Sequence, residues 1–310
     1  MRKLLLCSVL IIVGAFVFAG IAAADVSKAP PRALPYENTE QSPQTIPPTV
    51  QLAPGGTAAT INVPADSATI QAAINGATSG DVIIVAAGTY AEAILIDGKN
   101  LTITGAGVGS SIISGTALQT QYIVRITNGA VVDFSGFTVD GTGIDREYGI
   151  YADAGSDGDI HDCEVKNIYW STVVGMGIRR QECYIDVTDN TVYGFGRIGI
   201  YTRDDVIGNT DTGVISGNTV TGLGGLDPGR LSYGISIYSG NPTIDNNDIY
   251  GCVSGVDVSA WASAGLDVWT GSTSAITNNN FYDSDYGILS NSASPTMTGN
   301  TYTNITSDNV

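Results

Sequence analysis

The stretch Ile215-Ser216-Gly217-Asn218-Thr219-Val220 decides how this chain folds, because its pattern returns. An apolar residue is followed three places later by Asn, and two places after that by a second apolar residue. Copies occupy residues 187–192 around Asn190, 244–249 around Asn247, 276–281 around Asn279 and 297–302 around Asn300. A degenerate copy at 160–165 carries Cys163 in place of Asn. Successive asparagines are 28, 29, 32 and 21 residues apart. The residue before each Asn is Asp189, Gly217, Asn246, Asn278 or Gly299, types that accept a left-handed backbone. One such residue bends a strand sharply and turns the following Asn inward. There its amide can bond the next Asn, one strand spacing of about 4.8 Å above.

A second unit alternates with the first, an apolar–x–apolar strand usually preceded by Gly. It occurs at Met176/Ile178, Ile198/Ile200, Ile235/Ile237 and Val256/Val258, with weaker copies at Ile150 and Ile288. Two strand types in steady alternation predict coils stacked into a solenoid of about eight or nine turns.

Upstream of the repeats, Ile70, Ala73, Ile74 and Ala77 share one helical face. Asp66 and Ser67 are suitable N-caps, and Thr78-Ser79-Gly80 stops the helix. Short β-rich runs follow at 82–85, 93–96, 101–103 and 112–113. The segment from Thr69-Ile-Gln-Ala-Ala-Ile-Asn75 through Ser79-Gly-Asp-Val-Ile-Ile-Val-Ala-Ala-Gly-Thr-Tyr90 to Gly105 resembles the N-terminal opening of right-handed parallel β-helix proteins. That superfamily includes pectate lyases, pectin methylesterases, polygalacturonases, alginate epimerases and periplasmic NosD-like proteins. The resemblance covers about residues 60–306. It implies an all-β fold, a right-handed parallel β-helix (solenoid) with an N-terminal capping α-helix. It does not imply one activity, because the same coil hosts lyases, hydrolases, adhesins and structural proteins.

Three segments are expected. Residues 1–24 read as a signal peptide, with Arg2-Lys3, an apolar stretch from Leu4 to Ile21 and Ala22-Ala23-Ala24 before the cleavage point. Residues 25–57 hold seven prolines and few large apolar groups, which makes an extended linker. Residues 58–310 form the solenoid. The protein is therefore expected to be exported, with no membrane attachment after leader cleavage. Cys163, Cys183 and Cys252 then remain, an odd number that reads as core filling rather than a disulfide framework. Thirty acidic against 13 basic residues, a net charge of −17, argue against a nucleic-acid partner. One His and three Met argue against haem, copper or multi-His zinc.

Functional candidates come from the corner beyond the second strand type. Long segments after Ile198/Ile200 and after Val256/Val258 are expected to leave at one corner and flank a groove. Asp153, Arg179, Tyr201, Tyr238, Ser259 and Asn291 are expected just beyond that strand in successive coils. Tyr201, Tyr238 and Trp261 would stack on sugar rings, and Arg180 would hold a uronate carboxylate. Arg179, Arg180, Arg197 and Arg203 cluster on an otherwise acidic chain. If the protein is a lyase, Arg179 or Arg203 would abstract the α-proton in β-elimination, with Asp204 and Asp205 as catalytic carboxylates. Asp153, Asp204 and Asp205 would bind calcium, which prefers carboxylate oxygens. Asp204-Asp205 also resembles the paired acids of polygalacturonases, but that family's Gly-His-Gly, Asn-Thr-Asp and Arg-Ile-Lys are missing, as is the epimerases' Asp-Pro-His-Glu. His161 reads as a surface residue beside Asp162. Gly105-Ala-Gly107-Val-Gly109 precedes a strand rather than a helix and is not a phosphate loop. The expected partner is an acidic polysaccharide. The alternative is a non-catalytic cell-surface structural or adhesive solenoid, since no helix follows the last repeat and the coils could self-associate end to end.

Overall fold

The computed structural model describes residues 57–115, 121–169, 175–204, 212–224, 231–254, 262–269 and 271–309. The segment expected to be a signal peptide and almost all of the expected linker fall outside them. Every strand pairing is parallel, and each strand bonds to its counterpart one coil away. A single coil has three strands, as in Tyr148–Ala152, Asp157–His161 and Glu164–Ile168. The middle strands make a ten-stranded sheet, and the other two rows join in a sixteen-stranded sheet.

The hexapeptide repeat is thus two strands hinged at one residue. Tyr184–Thr188 lies in the ten-stranded sheet and Thr191–Phe195 in the other, with Asp189 at the hinge. Asp189, Gly217, Asn246, Asn278 and Gly299 all have φ between 53° and 72°. The following asparagines point inward and join end to end. Asn190 donates to Asn218 Oδ1 (3.1 Å), Asn218 to Asn247 (2.9 Å), Asn247 to Asn279 (2.9 Å) and Asn279 to Asn300 (3.1 Å). Cys163 sits at the foot of this stack, its N–H bonded to Asn190 Oδ1. Beside them, Ile150, Ile178, Ile200, Ile235, Leu266 and Ile288 form a fully buried row in register. At the corner before this row a glycine recurs, for a packing reason. A Cβ on Gly149 would lie 2.6 Å from Val165 Cγ1.

The helix spans Ile70–Gly76 and buries Ile70, Ala73 and Ile74 against the first coil. Its N-cap is Thr69, whose hydroxyl accepts from Ala72 N–H (3.0 Å), rather than Asp66 or Ser67. The Asp66 carboxylate instead closes a turn on Asn62. Glu92 completes the helix start by accepting from Ile70 and Gln71 N–H. Val256/Val258 lies outside the described residues. The strand paired with Tyr233–Ile237 is Ala264–Trp269, a segment expected to be part of an insertion. Cys163, Cys183 and Cys252 are buried, and among the described residues they form no disulfide. Among the described residues no helix is long and apolar enough to cross a membrane.

Candidate functional site

One row of the sixteen-stranded sheet runs through Tyr122–Thr127, Tyr148–Ala152, Met176–Gln181, Ile198–Arg203, Tyr233–Ile237 and Ala264–Trp269. Because side chains alternate in and out along a strand, its register defines outward columns. Arg125, Tyr151, Arg179, Tyr201, Ser236 and Asp267 stand opposite one another in sequence order. Two residues further along each strand, Gln181 faces Arg203 and Trp269 faces Asn291.

The first column is a stack of cations and rings. The Arg125 guanidinium lies 5.3 Å from the Tyr151 ring centroid and 5.7 Å from that of Tyr122. Arg179 lies 5.0, 5.3 and 5.3 Å from Tyr148, Tyr151 and Tyr201. Contacts of this kind contribute about 0.5–2 kcal/mol each, more when desolvated. Arg179 also donates to Tyr148 Oη (2.6 Å) and to Gln181 Oε1, and it makes no ion pair among the described residues. Tyr148 in turn donates to the buried Glu147 carboxylate. Burial drives the Glu147 carboxyl upward, against the opposing effects of the Tyr148 hydroxyl and the Arg179 charge. It likewise holds the Tyr148 and Tyr151 hydroxyls protonated well beyond the usual phenol range. Asp153 is 1% exposed and pairs with Arg125 at 2.6 Å.

Further along the column, Asp267 is 3% exposed, and burial pushes its carboxyl up to about 7. It accepts from Trp269 Nε1, Ser236 Oγ (3.4 Å) and Asn291 Nδ2 (3.1 Å). Arg197 lies 5.9 Å from the Tyr233 ring beside it. Buried side-chain atoms without a hydrogen-bond partner gather on this side of the molecule: Arg125 Nε, Glu147 Oε2, Asp153 Oδ1, Arg179 Nε and Arg197 Nε. Such atoms are rare in folded proteins, and desolvated titratable groups concentrate at functional sites.

A family model for the right-handed beta helix region matches residues 180–309. The chain has the right-handed parallel β-helix fold. Its solved structural relatives include an alginate lyase from Paenibacillus sp. str. FPU-7, at 18% identity and a TM-score of 0.56, over 81% of this chain and 98% of that one. Pectate lyase Pel9A is similar at 16% identity and a TM-score of 0.47, over 79% and 78%. A pectin methylesterase from Aspergillus niger is similar at 16% identity and a TM-score of 0.41, over 84% and 86%. None of the curated proteins matches by sequence.

The β-helix brings some predicted residues together and separates others. Arg179 and Tyr201 are direct neighbours in one column, whereas Arg203 belongs to the next column out. Arg180 is corrected. It falls on the inward alternation, facing Ala152 and Thr202, and at 0% exposure it cannot meet an external polysaccharide. Tyr201 is only 2% exposed, so its ring serves Arg179 rather than an open platform. Tyr238 is half-buried under the Arg203 guanidinium, 5.2 Å from its ring. Asp204 is buried, and its N–H bonds Ser239 Oγ (2.8 Å). Asp205, Trp261 and Ser259 lie outside the described residues. Of the residues expected to bind calcium, only Asp153 and Asp204 are among the described residues. Arg125 engages Asp153, Asp204 sits about two strand spacings (about 10 Å) away, and no three described His, Cys, Asp or Glu side chains gather for a metal. His161 lies on the opposite sheet, between Asp133 (3.0 Å) and Asp162 (2.9 Å). Sequence reasoning missed Glu147, Tyr148 and Asp267. The Gly column was the available signal, since Gly149 aligned with Gly177 and Gly199 puts Tyr148 one coil from Arg179.

Proposed function

We propose that this face binds an anionic polysaccharide outside the cell and cleaves it by β-elimination. The observation that carries the reading is the chain Arg179–Tyr148–Glu147 at the centre of a cationic, aromatic face on an acidic protein. Arg179, hydrogen-bonded to Tyr148 Oη, would neutralise a uronate carboxylate. That makes the adjacent α-proton more acidic. Tyr148 would take this proton as it passes its own to Glu147, whose raised affinity for protons suits a sink. The electron pair of the broken C–H bond forms the C=C double bond, and the glycosidic oxygen leaves with the pair of its C–O bond and takes a proton from water, the hydroxide formed being neutralised when Glu147 releases the proton it received. The fold is shared with an alginate lyase, which supports this class of chemistry without selecting a substrate.

The test is ultraviolet absorbance of unsaturated uronate on a panel of anionic and neutral polysaccharides. Wild type is expected to release unsaturated ends. Tyr148→Phe should lower kcat by at least about a hundredfold with KM little changed, the size expected for a lost acid–base group. Arg179→Ala should raise KM as well. A second reading, a non-catalytic adhesive solenoid, is favoured by the burial of Tyr148 and Tyr201 among their own neighbours. Binding without product selects it, and absence of any binding overturns both.

A further inference from the structure

Taking the face as an anionic-polysaccharide site, on which this inference rests, we infer that its ligand is an alternating polymer in which a uronate is followed by a neutral sugar. The argument is the spacing of charge along the first outward column. Arg125 is opposite Tyr151, Tyr151 opposite Arg179 and Arg179 opposite Tyr201, by three separate strand pairings. The two cations therefore stand two coils apart, about 10 Å, with the Tyr151 ring at the coil between. An extended polysaccharide lying along the solenoid axis advances by about one strand spacing per sugar, so Arg125 and Arg179 match one disaccharide repeat.

The intervening stations disfavour a second carboxylate. A ring presents its negative face to a ligand. Tyr151 keeps its proton, and the nearly buried Asp153 carboxylate lies beside it. Asp153 is already paired with Arg125, so a carboxylate placed there would meet the negative face of the ring and no cation of its own, whereas the C–H face of a neutral sugar would stack on the ring. Arg203 does not interrupt this alternation, because it stands in the next column and leans over Tyr238. Beyond Tyr201 the column continues as Ser236 and Asp267, neither of which is a cation. Tyr201 is itself nearly enclosed by its neighbours, so the anion-reading stretch covers the three coils of Arg125, Tyr151 and Arg179, a length that a tetrasaccharide spans. Its two cations are held in place in advance by ring contacts and, for Arg179, by Tyr148 and Gln181.

The experiment is equilibrium binding of three tetrasaccharides to the full protein. The probes are a hyaluronan tetrasaccharide, with a carboxylate on every second sugar, tetragalacturonate, with one on every sugar, and neutral cellotetraose. The hyaluronan fragment is expected to bind at least about tenfold more tightly than tetragalacturonate, a difference of about 1.4 kcal/mol, and cellotetraose more weakly than either. Equal or tighter binding of tetragalacturonate overturns the alternation and leaves the anionic-polysaccharide reading standing. Binding of neither acidic fragment overturns that reading as well. Tyr151→Lys, which fills the gap between the two arginines with charge, should reverse the preference; an unchanged preference in the folded variant overturns the inference. Should Tyr151→Lys not fold, Arg125→Gln at the more exposed end serves instead. It should weaken hyaluronan binding at least about fivefold, and an unchanged affinity overturns the inference.

Discussion

The asparagines inside the coil and the arginines and tyrosines outside it are columns built by one register, and they treat their polar atoms in opposite ways. Asn247 uses all of its amide. Nδ2 donates to Ile215 O, Asp245 O and Asn279 Oδ1, while Oδ1 accepts from both the backbone and the side chain of Asn218. On the outer face, Arg125, Arg179, Asp153 and Glu147 each keep one buried atom without a partner. A column that satisfies itself is scaffold, since breaking it leaves several orphaned groups. A column that stays partly unsatisfied costs stability, and a protein carries that cost where it binds or reacts.

Substitutions can break or sharpen this contrast. Asn247→Ala has the largest expected effect. It strands Asn218 N–H groups and two carbonyls in a dry interior, at about 3–5 kcal/mol, measured as a drop in the urea or thermal midpoint. A loss below about 1 kcal/mol would show that the stack is not what holds the coils.

Asp267→Asn comes next and depends on pH. The folded-state carboxyl titrates near 7 against an ordinary value of 3.8, so the folded form holds the proton more tightly. Wild type should therefore lose stability as pH rises from about 4 to about 7 and change little above that, by up to about 4 kcal/mol. Asp267→Asn should lack this dependence. Parallel melting curves for the two proteins at every pH would refute it.

The smallest effect belongs to His161. Hydrogen bonds to Asp162 and Asp133 outweigh desolvation and raise its titration above 6.5. The pairs therefore stabilise the fold at low pH and fade as pH rises through the shifted value. Because His161 is a surface group, His161→Ala should cost no more than about 1 kcal/mol even at pH 5.5. A larger loss would mean that the ten-stranded sheet carries more than a framework.

The repeat was legible because a left-handed hinge admits few residue types, so Asp189, Gly217, Asn246, Asn278 and Gly299 betray it directly. The outward columns were not legible to the same degree, because a one-residue slip exchanges the two faces of a strand. Arg179 and Arg180 are adjacent and look equivalent in the chain, yet one meets tyrosines outside and the other is sealed within. The column expected from the sequence merged two real ones, joining Arg179 and Tyr201 to Asp153, Tyr238 and Asn291. Asp267 stayed hidden for a related reason. Ala264–Trp269 lacks the Ile-x-Ile signature and carries Leu266 and Val268 in its place, so it read as loop. Propensity tells strand from turn, but only the ladder of backbone bonds tells which neighbour a side chain has.

The buried cysteines add a practical consequence. Cys163 lies at the foot of the asparagine stack and Cys252 several coils along the axis, both fully enclosed, with thiols pushed up to about 12 by burial. Thiolate, the form that reacts, is scarce at either place while the surrounding coil stays shut. In a solenoid whose turns touch only their neighbours, opening can begin at different points along the rod. With Cys183 between them, these thiols are position-stamped chemical clocks, and the order in which an alkylating reagent marks them would tell from which end the solenoid comes apart.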